Sequence, residues 1–392
     1  MGGAERVLWN TLSYWQKNKA NSICTVLLPG VGLFADFLQS QEIDCFLFDM
    51  DNKLSRLGDS TVRKENLLNR FLNLLIAIPS VYRAVRQLRK LILKGDPDFI
   101  LANGFKAQIL GALAAPKGLP VTWFIQDFVC NRSLVSKILP RVWNKNIQII
   151  ADSQAVAADV ARLIPKSLIA IWYNTVDLDK FQPKKTKNSF LDEIAGFPLP
   201  WNGLRIGLVA TFAKWKGHKI FLQAAKIVVE KTKAPIRFYV VGGPIYQSKN
   251  SQWSIEELKQ ESELLGVNNC VGFIGFQQDM AKVYNALDVV VHASTDPEPF
   301  GQVIIEGMAC GKTVVVAAHG GAAEIGTSGL DCLQHLPGDA NSLAECINYL
   351  IENEKVRENI GNEARATVVR SFGMDSIDKR WESLFKSLEL PC

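Results

Sequence analysis

Leu287-Asp288-Val289-Val290-Val291-His292-Ala293 runs through Ser294-Thr295-Asp296-Pro297 into Glu298-Pro299-Phe300-Gly301-Gln302-Val303-Ile304-Ile305-Glu306-Gly307-Met308-Ala309. The first run is short, apolar and β-branched, as a buried strand is, and the last reads as a helix. The stretch therefore predicts a strand-to-helix corner with Phe300-Gly301 at its turn. Such a corner aims free backbone N–H groups and the positive end of a helix dipole at one spot, which suits a phosphate. Gly301 has no Cβ and lets a ligand come close to the backbone. Glu298, before the turn, would face whatever is attached to that phosphate. Glu306, about two helical turns on, could reach vicinal hydroxyls as acidic residues do on a ribose. Together they describe a site for a sugar carried on a nucleoside diphosphate. Taken alone, two glutamates at this spacing read more readily as a turn residue, Glu298, and an ordinary charge on a helix, Glu306; the surrounding residues argue against that.

The same rhythm extends in both directions. Lys312-Thr313-Val314-Val315-Val316-Ala317-Ala318 is a β-branched strand leaving through His319-Gly320-Gly321-Ala322-Ala323-Glu324. Upstream, Leu204-Arg205-Ile206-Gly207-Leu208-Val209-Ala210 leads through Thr211-Phe212-Ala213-Lys214-Trp215-Lys216-Gly217-His218 into a helix from about 219. A basic residue at that mouth can pair with a diphosphate; Lys216 is the first candidate and Lys214 the second, and either lysine alone also fits a solvated loop charge. Strand candidates at 23–28, 45–48, 99–102, 121–125 and 147–151 alternate with helical stretches, and the alternation resumes at 205–210, 237–241, 271–274, 289–293, 313–317 and 332–336. Such alternation predicts parallel sheets covered by helices, twice over, in two doubly wound α/β domains. A length of 392 residues agrees with two domains. Pro183, Pro198 and Pro200 mark the weakly periodic stretch between them.

In order and spacing these segments resemble the retaining GT-B glycosyltransferases of the group-one type, glycosyltransferase family four. The resemblance runs over nearly the whole chain: Gly2-Gly3-Ala4-Glu5-Arg6, Pro97-Asp98-Phe99, Gln126-Asp127, Ala151-Asp152-Ser153, Tyr173-Asn174-Thr175-Val176-Asp177, Trp215-Lys216-Gly217-His218, Glu298-Pro299-Phe300-Gly301 and Gly320-Gly321-Ala322-Ala323-Glu324. It implies two facing Rossmann-like domains: 1–180 on the acceptor side, 181–203 as linker, 204–372 binding the nucleotide sugar, and a helix in 373–392 crossing back to the first. It implies that Glu298 holds hydroxyls of the transferred sugar, that backbone at Phe300, Gly301, Gln302 and Val303 meets sugar and diphosphate, and that Glu306 holds the ribose. Lys216 matches the phosphate lysine, Ile274 sits where backbone contacts the base, and Thr211, Gly2 and Gly3 fall among the donor-binding positions. Gln126 and Asp127 fall on the acceptor side.

Three departures accompany the resemblance. Thr211 stands where the family commonly has an arginine, so diphosphate pairing rests on Lys216 or recruits Lys214. Gln126-Asp127 replaces a histidine–aspartate arrangement, and all four histidines, His218, His292, His319 and His335, lie in the second half. An amide still hydrogen-bonds a sugar hydroxyl but does not titrate near neutrality as imidazole does. Asp127 is then either an acceptor-side base or a turn carboxylate. Finally, the family's glycine loop follows a central strand, whereas here Gly2 and Gly3 follow Met1 directly. Loss of that strand would leave a gap in the first sheet and remove the support of the glycine loop; either the start is placed too late or the product is truncated.

Composition narrows the class. Hydrophobic residues make up 48% and charged residues 21% of the chain, as in a globular protein without low-complexity tails. The eight cysteines are scattered, with no close pair or histidine at ligand spacing, so neither structural zinc nor a disulfide framework is expected and a reducing cytoplasm fits. There is no signal-peptide pattern, and no run approaches the roughly 20 apolar residues of a spanning helix. Residues 1–180 hold 22 Lys and Arg against 15 Asp and Glu, and the remainder 22 against 24. Much of the excess sits in 63–94, where Arg83, Arg86, Arg89, Lys90 and Lys94 accompany Val81, Val85, Leu88 and Ile92 at helical spacing. That pattern fits a basic amphipathic surface docked on the inner face of an anionic membrane, or a helix packed on the sheet with a solvated outer face. Nucleic acid is not expected as a partner, because no aromatic platforms interleave the basic residues.

The reaction expected is transfer of a sugar from a nucleoside diphosphate to a hydroxyl of a carbohydrate or lipid-linked acceptor, with retention and with neither metal nor cofactor. The Asp-x-Asp pairs Asp49/Asp51, Asp96/Asp98 and Asp177/Asp179 all precede the donor domain. Leaving-group charge would be met by Lys216, the 301–303 backbone and a helix dipole. The rivals are a nucleotide-sugar epimerase on the same fold and a degenerate nucleotide-sugar-binding subunit; a dinucleotide oxidoreductase would need a Gly-x-Gly-x-x-Gly after its first strand, which is missing.

Overall fold

The computed structural model describes residues 3–18, 23–48, 50, 67–186, 189–244 and 251–388, and the side chains within them except at 3, 4, 17, 18 and 67–75. The chain forms two compact units, Met1–Tyr173 with Ile377–Cys392, and Asn174–Ser376. The first contains α1 (Gly3–Asn18), β1 (Thr25–Leu28), α2 (Leu33–Ser40), β2 (Asp44–Leu47), α3 (Leu67–Gly95), β3 (Ile100–Asn103), α4 (Phe105–Ala114), β4 (Val121–Ile125), α5 (Val135–Val142), β5 (Ile147–Ala151), α6 (Gln154–Leu163) and β6 (Ile169–Ile171). Among the described residues its strands pair in parallel as two sheets, β1-β2 and β3-β4-β5-β6. Every residue of β4, Val-Thr-Trp-Phe-Ile, is buried, as in a parallel strand covered on both faces. Leu27 of β1 and Ile100 of β3 both pack on a core built from Ala84, Leu88 and Ile92 of α3 and Leu110 and Ala114 of α4. β6 is the strand that periodicity missed, since three residues, Ile-Ala-Ile, show no measurable alternation.

The second unit contains α7 (Phe190–Ala195), β7 (Leu204–Val209), a 3-10 turn (Lys214–Lys216), α8 (His218–Lys231), β8 (Ile236–Val241), α9 (Ile255–Leu264), β9 (Val271–Gly275), α10 (Met280–Ala286), β10 (Val289–His292), α11 (Gln302–Ala309), β11 (Thr313–Ala317), a second 3-10 turn (Gly321–Glu324), β12 (Leu333–His335), α12 (Ala340–Glu352) and α13 (Glu354–Ser371). Its six strands form one parallel sheet in the order β12-β11-β10-β7-β8-β9. The alternation in the sequence thus becomes two parallel-sheet Rossmann-like units. The sheet is wound outward in both directions from β7 and β10, which pair with Val289 opposite Ile206 and Val291 opposite Leu208. In such sheets the loops leaving the carboxyl ends diverge at the reversal and open a crevice for ligand.

The last helix, α14 (Ser376–Leu388), belongs from Ile377 onward to the first unit. Its Trp381 and Phe385 pack edge-on against Trp15, with ring centroids 4.8 Å and 5.4 Å apart, and Trp381 also meets Trp172 at 5.1 Å. Rings of this size each bury about 150–250 Å², enough to seat a single helix.

Residues 181–203, expected as a linker, include α7 and pack as part of the second unit. The carboxylate of Asp192, on α7, is fully buried and accepts from Arg205 Nε at 3.0 Å and Nη2 at 2.7 Å, and from Arg237 and the Tyr239 hydroxyl. Burial favours its neutral form, but Tyr239, Arg237 and Arg205 together hold it below the usual carboxylate value. Two arginines inside a sheet are tolerated because this carboxylate meets both. No helix among the described residues is long and apolar enough to cross a membrane.

Candidate functional site

The loops leaving β7 and β10 meet at the reversal of the second sheet. The β7 loop tightens into the 3-10 turn that carries Lys216, and Thr295, beyond β10, donates its N–H to Trp215 O at 2.7 Å. This tie sets Lys216 beside Glu298: Nζ lies 2.8 Å from Oε1 and 2.6 Å from Oε2. The ammonium also lies over the Trp215 ring, 4.0 Å from its centroid. Ser294 Oγ donates to Glu298 Oε2 at 2.9 Å, and His292 Nε2 stands 3.2 Å from the same oxygen. His292 Nδ1 is buried without a partner, so the ring proton belongs on Nε2, where a carboxylate receives it. Oε2 thus meets three donors and Oε1 one, which leaves Oε1 open to a further hydroxyl.

Glu298 is 8% exposed and Glu306 1%. Ordinary charges on a helix face are not buried in this way, so that reading of the pair is overturned. Burial pushes the Glu298 carboxyl up, but Lys216 and His292 hold it far below the usual range. Tyr284, on α10, donates its hydroxyl to Glu306 Oε2 at 2.9 Å.

Between the two acids the chain turns at Gly301, whose φ of 111° favours glycine. No side chain caps the N-terminus of α11 there. The Phe300 ring is 2% exposed and packs on Phe372, so only its backbone remains to a ligand. Gln302 donates Nε2 to Thr175 O at 3.0 Å, while its Oε1 is buried with no partner. Val303 follows, half-buried, in the first turn of α11. On the far side, Gly320, with φ of 66°, lies so close to Glu298 that a Cβ would stand 2.4 Å from its carbonyl oxygen, and Gly321 N–H donates to that oxygen at 2.8 Å. The Gly-Gly exit thereby fixes the Glu298 backbone from behind.

The other candidates are distributed as follows. Thr211 leaves β7 between Ala210 and Phe212, whose N–H groups bond to Val241 and Gly243. Lys214 lies over Trp253, 4.7 Å from the ring centroid, together with Lys219 at 4.8 Å, and is not brought to Glu298. Ile274 is buried in β9, its carbonyl accepting from Gln277 Nε2 at 3.2 Å. Gln126 and Asp127 follow β4 in the first unit. Both Asp127 oxygens are engaged, Oδ1 by Phe128 N–H and Oδ2 by Arg132, each at 2.8 Å, as in a turn carboxylate. Gln126 Nε2 is buried without a partner. Gly3 opens α1, and Gly2 lies outside the described residues, as do Asp49 and Asp51. Asp177 accepts from the N–H groups of Asp179 and Lys180 and ties a turn.

His292, Ser294 and Tyr284 are the residues that sequence reasoning missed. His292 and Ser294 sit two apart at a strand end, hence on one side, and that spacing was a usable signal. Tyr284 lies 22 positions from Glu306 and left none.

His218, at the start of α8, is fully buried edge-on to Phe212, 5.3 Å away, and neither ring nitrogen has a partner. Burial, with Lys216 nearby, pushes its imidazole from 6.5 down to about 4. Between those values the unfolded chain binds a proton there and the folded one does not, so stability falls as pH drops through that window. A His218→Leu variant is expected to flatten this part of the Tm-versus-pH curve; an unaltered curve would show that the acid sensitivity arises elsewhere.

Two parallel-sheet Rossmann-like units, the second with its charged cluster at the sheet reversal, make up the GT-B architecture. The chain belongs to the group-one glycosyltransferases: the model for Glycosyltransferase Family 4 matches residues 1–180, and that for Glycosyl transferases group 1 matches residues 195–367. It is 25% identical over 368 residues to the capsular polysaccharide biosynthesis glycosyltransferase CapM of Staphylococcus aureus, covering 90% of this chain and 92% of that one. It is 27% identical over 245 residues to the D-inositol 3-phosphate glycosyltransferase of Corynebacterium urealyticum; this match takes in 61% of the chain but spans only 56% of that relative's length. Among solved structures, HepE of Anabaena in complex with UDP superposes with a TM-score of 0.79 at 26% identity, over 98% of this chain and 96% of that one. HepE has also been solved with UDP-glucose.

Proposed function

We propose that the protein transfers a sugar from a nucleoside-diphosphate donor, with UDP-glucose the first candidate, to a hydroxyl of a carbohydrate or lipid-linked acceptor, retaining the anomeric configuration and using neither metal nor cofactor. The observation that carries this reading is the buried Glu298 carboxylate, oriented by Lys216, His292 and Ser294 with one oxygen left open, beside the uncapped start of α11. That arrangement is suited to accept a sugar hydroxyl at Oε1 while the α11 backbone and Lys216 face the diphosphate. Binding a diphosphate would draw Lys216 away from Glu298, or share it, so charge is exchanged at the site rather than added.

In this reading, negative charge growing on the leaving phosphate is met by Lys216, by N–H groups at Gly301, Gln302 and Val303, and by the α11 dipole, all in place before reaction. The acceptor attacks from the face the phosphate leaves, and the departing phosphate takes the acceptor's proton. Glu298 then positions the sugar and does not attack it. Glu306, held by Tyr284, is assigned the ribose; backbone at Ile274 and Thr211 the rest of the nucleotide; Gln126 and Asp127 the acceptor side. Asp127 is the acceptor-side group in this reading, each of its oxygens held by one donor, from Phe128 or Arg132, and each keeping a lone pair for an acceptor hydroxyl. The two curated relatives are glycosyltransferases, which does not favour an epimerase.

A thermal-shift series with UDP-, GDP- and ADP-glucose tests the donor. At about a hundred times Kd a ligand stabilises the folded form by about 2.7 kcal/mol, which for a unit of this size is a rise of about 5–10 °C in Tm. The rise is expected with UDP-glucose and to be unaffected by EDTA. No rise with any of the three would sink the reading.

A further inference from the structure

α3 carries six basic residues, Arg70, Arg83, Arg86, Arg89, Lys90 and Lys94, and no Asp or Glu over its whole length, Leu67–Gly95. Its inner face is ordinary: Ala77, Ala84, Leu88 and Ile92 are buried, and the last three join Leu110 and Ala114 of α4 in one core. The outer face is not. A solvated face would be polar, yet Ile78 is 59%, Tyr82 65% and Leu93 60% exposed, with Ile76 beside them at 52%. At 100° per residue, Ile78, Tyr82, Leu93, Arg83, Arg86, Arg89 and Lys90 fall within an arc of about 140° opposite Ala84 and Leu88. Arg86, Arg89 and Lys90 make no ion pair among the described residues.

We infer that this face of α3 docks on the surface of an anionic phospholipid membrane. The apolar side chains are spread over about four turns, roughly 22 Å, the right extent for a helix lying in the interface and too sparse for a closed protein core. Tyr82 suits the headgroup level, where its ring is buried and its hydroxyl wet. The arginine and lysine stems can lie along acyl chains while their heads reach lipid phosphates. A second copy of the chain is a poor occupant, because the same face would set like charges against each other. The inference stands apart from the transfer reaction, since it concerns the first unit and needs no turnover.

The test is co-sedimentation of the full chain with vesicles of phosphatidylcholine containing 30% phosphatidylglycerol, and with phosphatidylcholine alone. Binding is expected to the anionic vesicles only and to fall steeply from 50 to 500 mM NaCl. With about 1 kcal/mol, or fivefold, for each basic residue near the surface, Arg86→Glu/Arg89→Glu/Lys90→Glu should lower the partition coefficient by more than about a hundredfold. Tyr82→Ser/Leu93→Ser should lower it several-fold while leaving the salt dependence. Circular dichroism checks that each variant is folded; should the triple variant fail, the native comparison and the serine variant still decide. No sedimentation, equal binding to neutral vesicles, or variants that bind like the native chain would overturn the inference. So would self-association in solution abolished by the serine pair, since the face would then be a dimer contact.

Discussion

Glu298→Gln lowers kcat/KM for sugar transfer by about 10²- to 10³-fold, the loss expected when one preorganised electrostatic contact is removed from a reacting centre. The substitution keeps the shape of the side chain and changes what it offers. As a carboxylate, Glu298 accepts from Lys216, Ser294 and His292 at once. As an amide it presents one oxygen and one NH₂, so either the donors or the incoming sugar hydroxyl meet another donor. Because the sugar hydroxyls, and not the nucleotide, are at stake, the loss should fall mainly on kcat, with the Tm rise on UDP retained. Full transfer by the variant would overturn the role of Glu298.

Lys216→Ala should act on stability and turnover together. Removing the ammonium leaves the buried Glu298 carboxylate with only Ser294 and His292 against its desolvation, a loss of about 3 kcal/mol in unfolding free energy. It also removes the cation assigned to the diphosphate, so transfer falls by at least about 10²-fold and UDP no longer raises Tm. The double variant Lys216→Ala/Glu298→Gln separates the effects: removing the stranded charge should recover most of the stability and none of the activity, a coupling that a double-mutant cycle reads directly. If the double variant is no more stable than Lys216→Ala, the ion pair is not what holds this corner.

Much of the architecture could be read from local pattern. Runs such as Val289–His292 and Thr313–Ala317 are apolar but for one end residue each because parallel strands are covered on both faces, and the Phe300-Gly301 turn announces its corner because few residues tolerate the required φ. Lys216 was legible by its place at the mouth of β7. What remained hidden was pairing over distance. Nothing near Asp192 reveals that it meets Arg205 and Arg237, and nothing near Glu306 points to Tyr284. Asp127 shows the opposite case: its partners, Phe128 and Arg132, lie within five residues, yet the sequence fits a base as well as a turn carboxylate, and one donor on each oxygen fits both.

The Asp192 carboxylate also bears on how this protein can be recombined. Splicing its donor half onto a foreign acceptor half at a junction just ahead of β7 would discard α7 and strand Arg205 and Arg237 inside the sheet with no counter-charge. Chimaeras cut upstream of Phe190 keep the carboxylate with its guanidinium groups, and that crossover point is the one the buried triad permits.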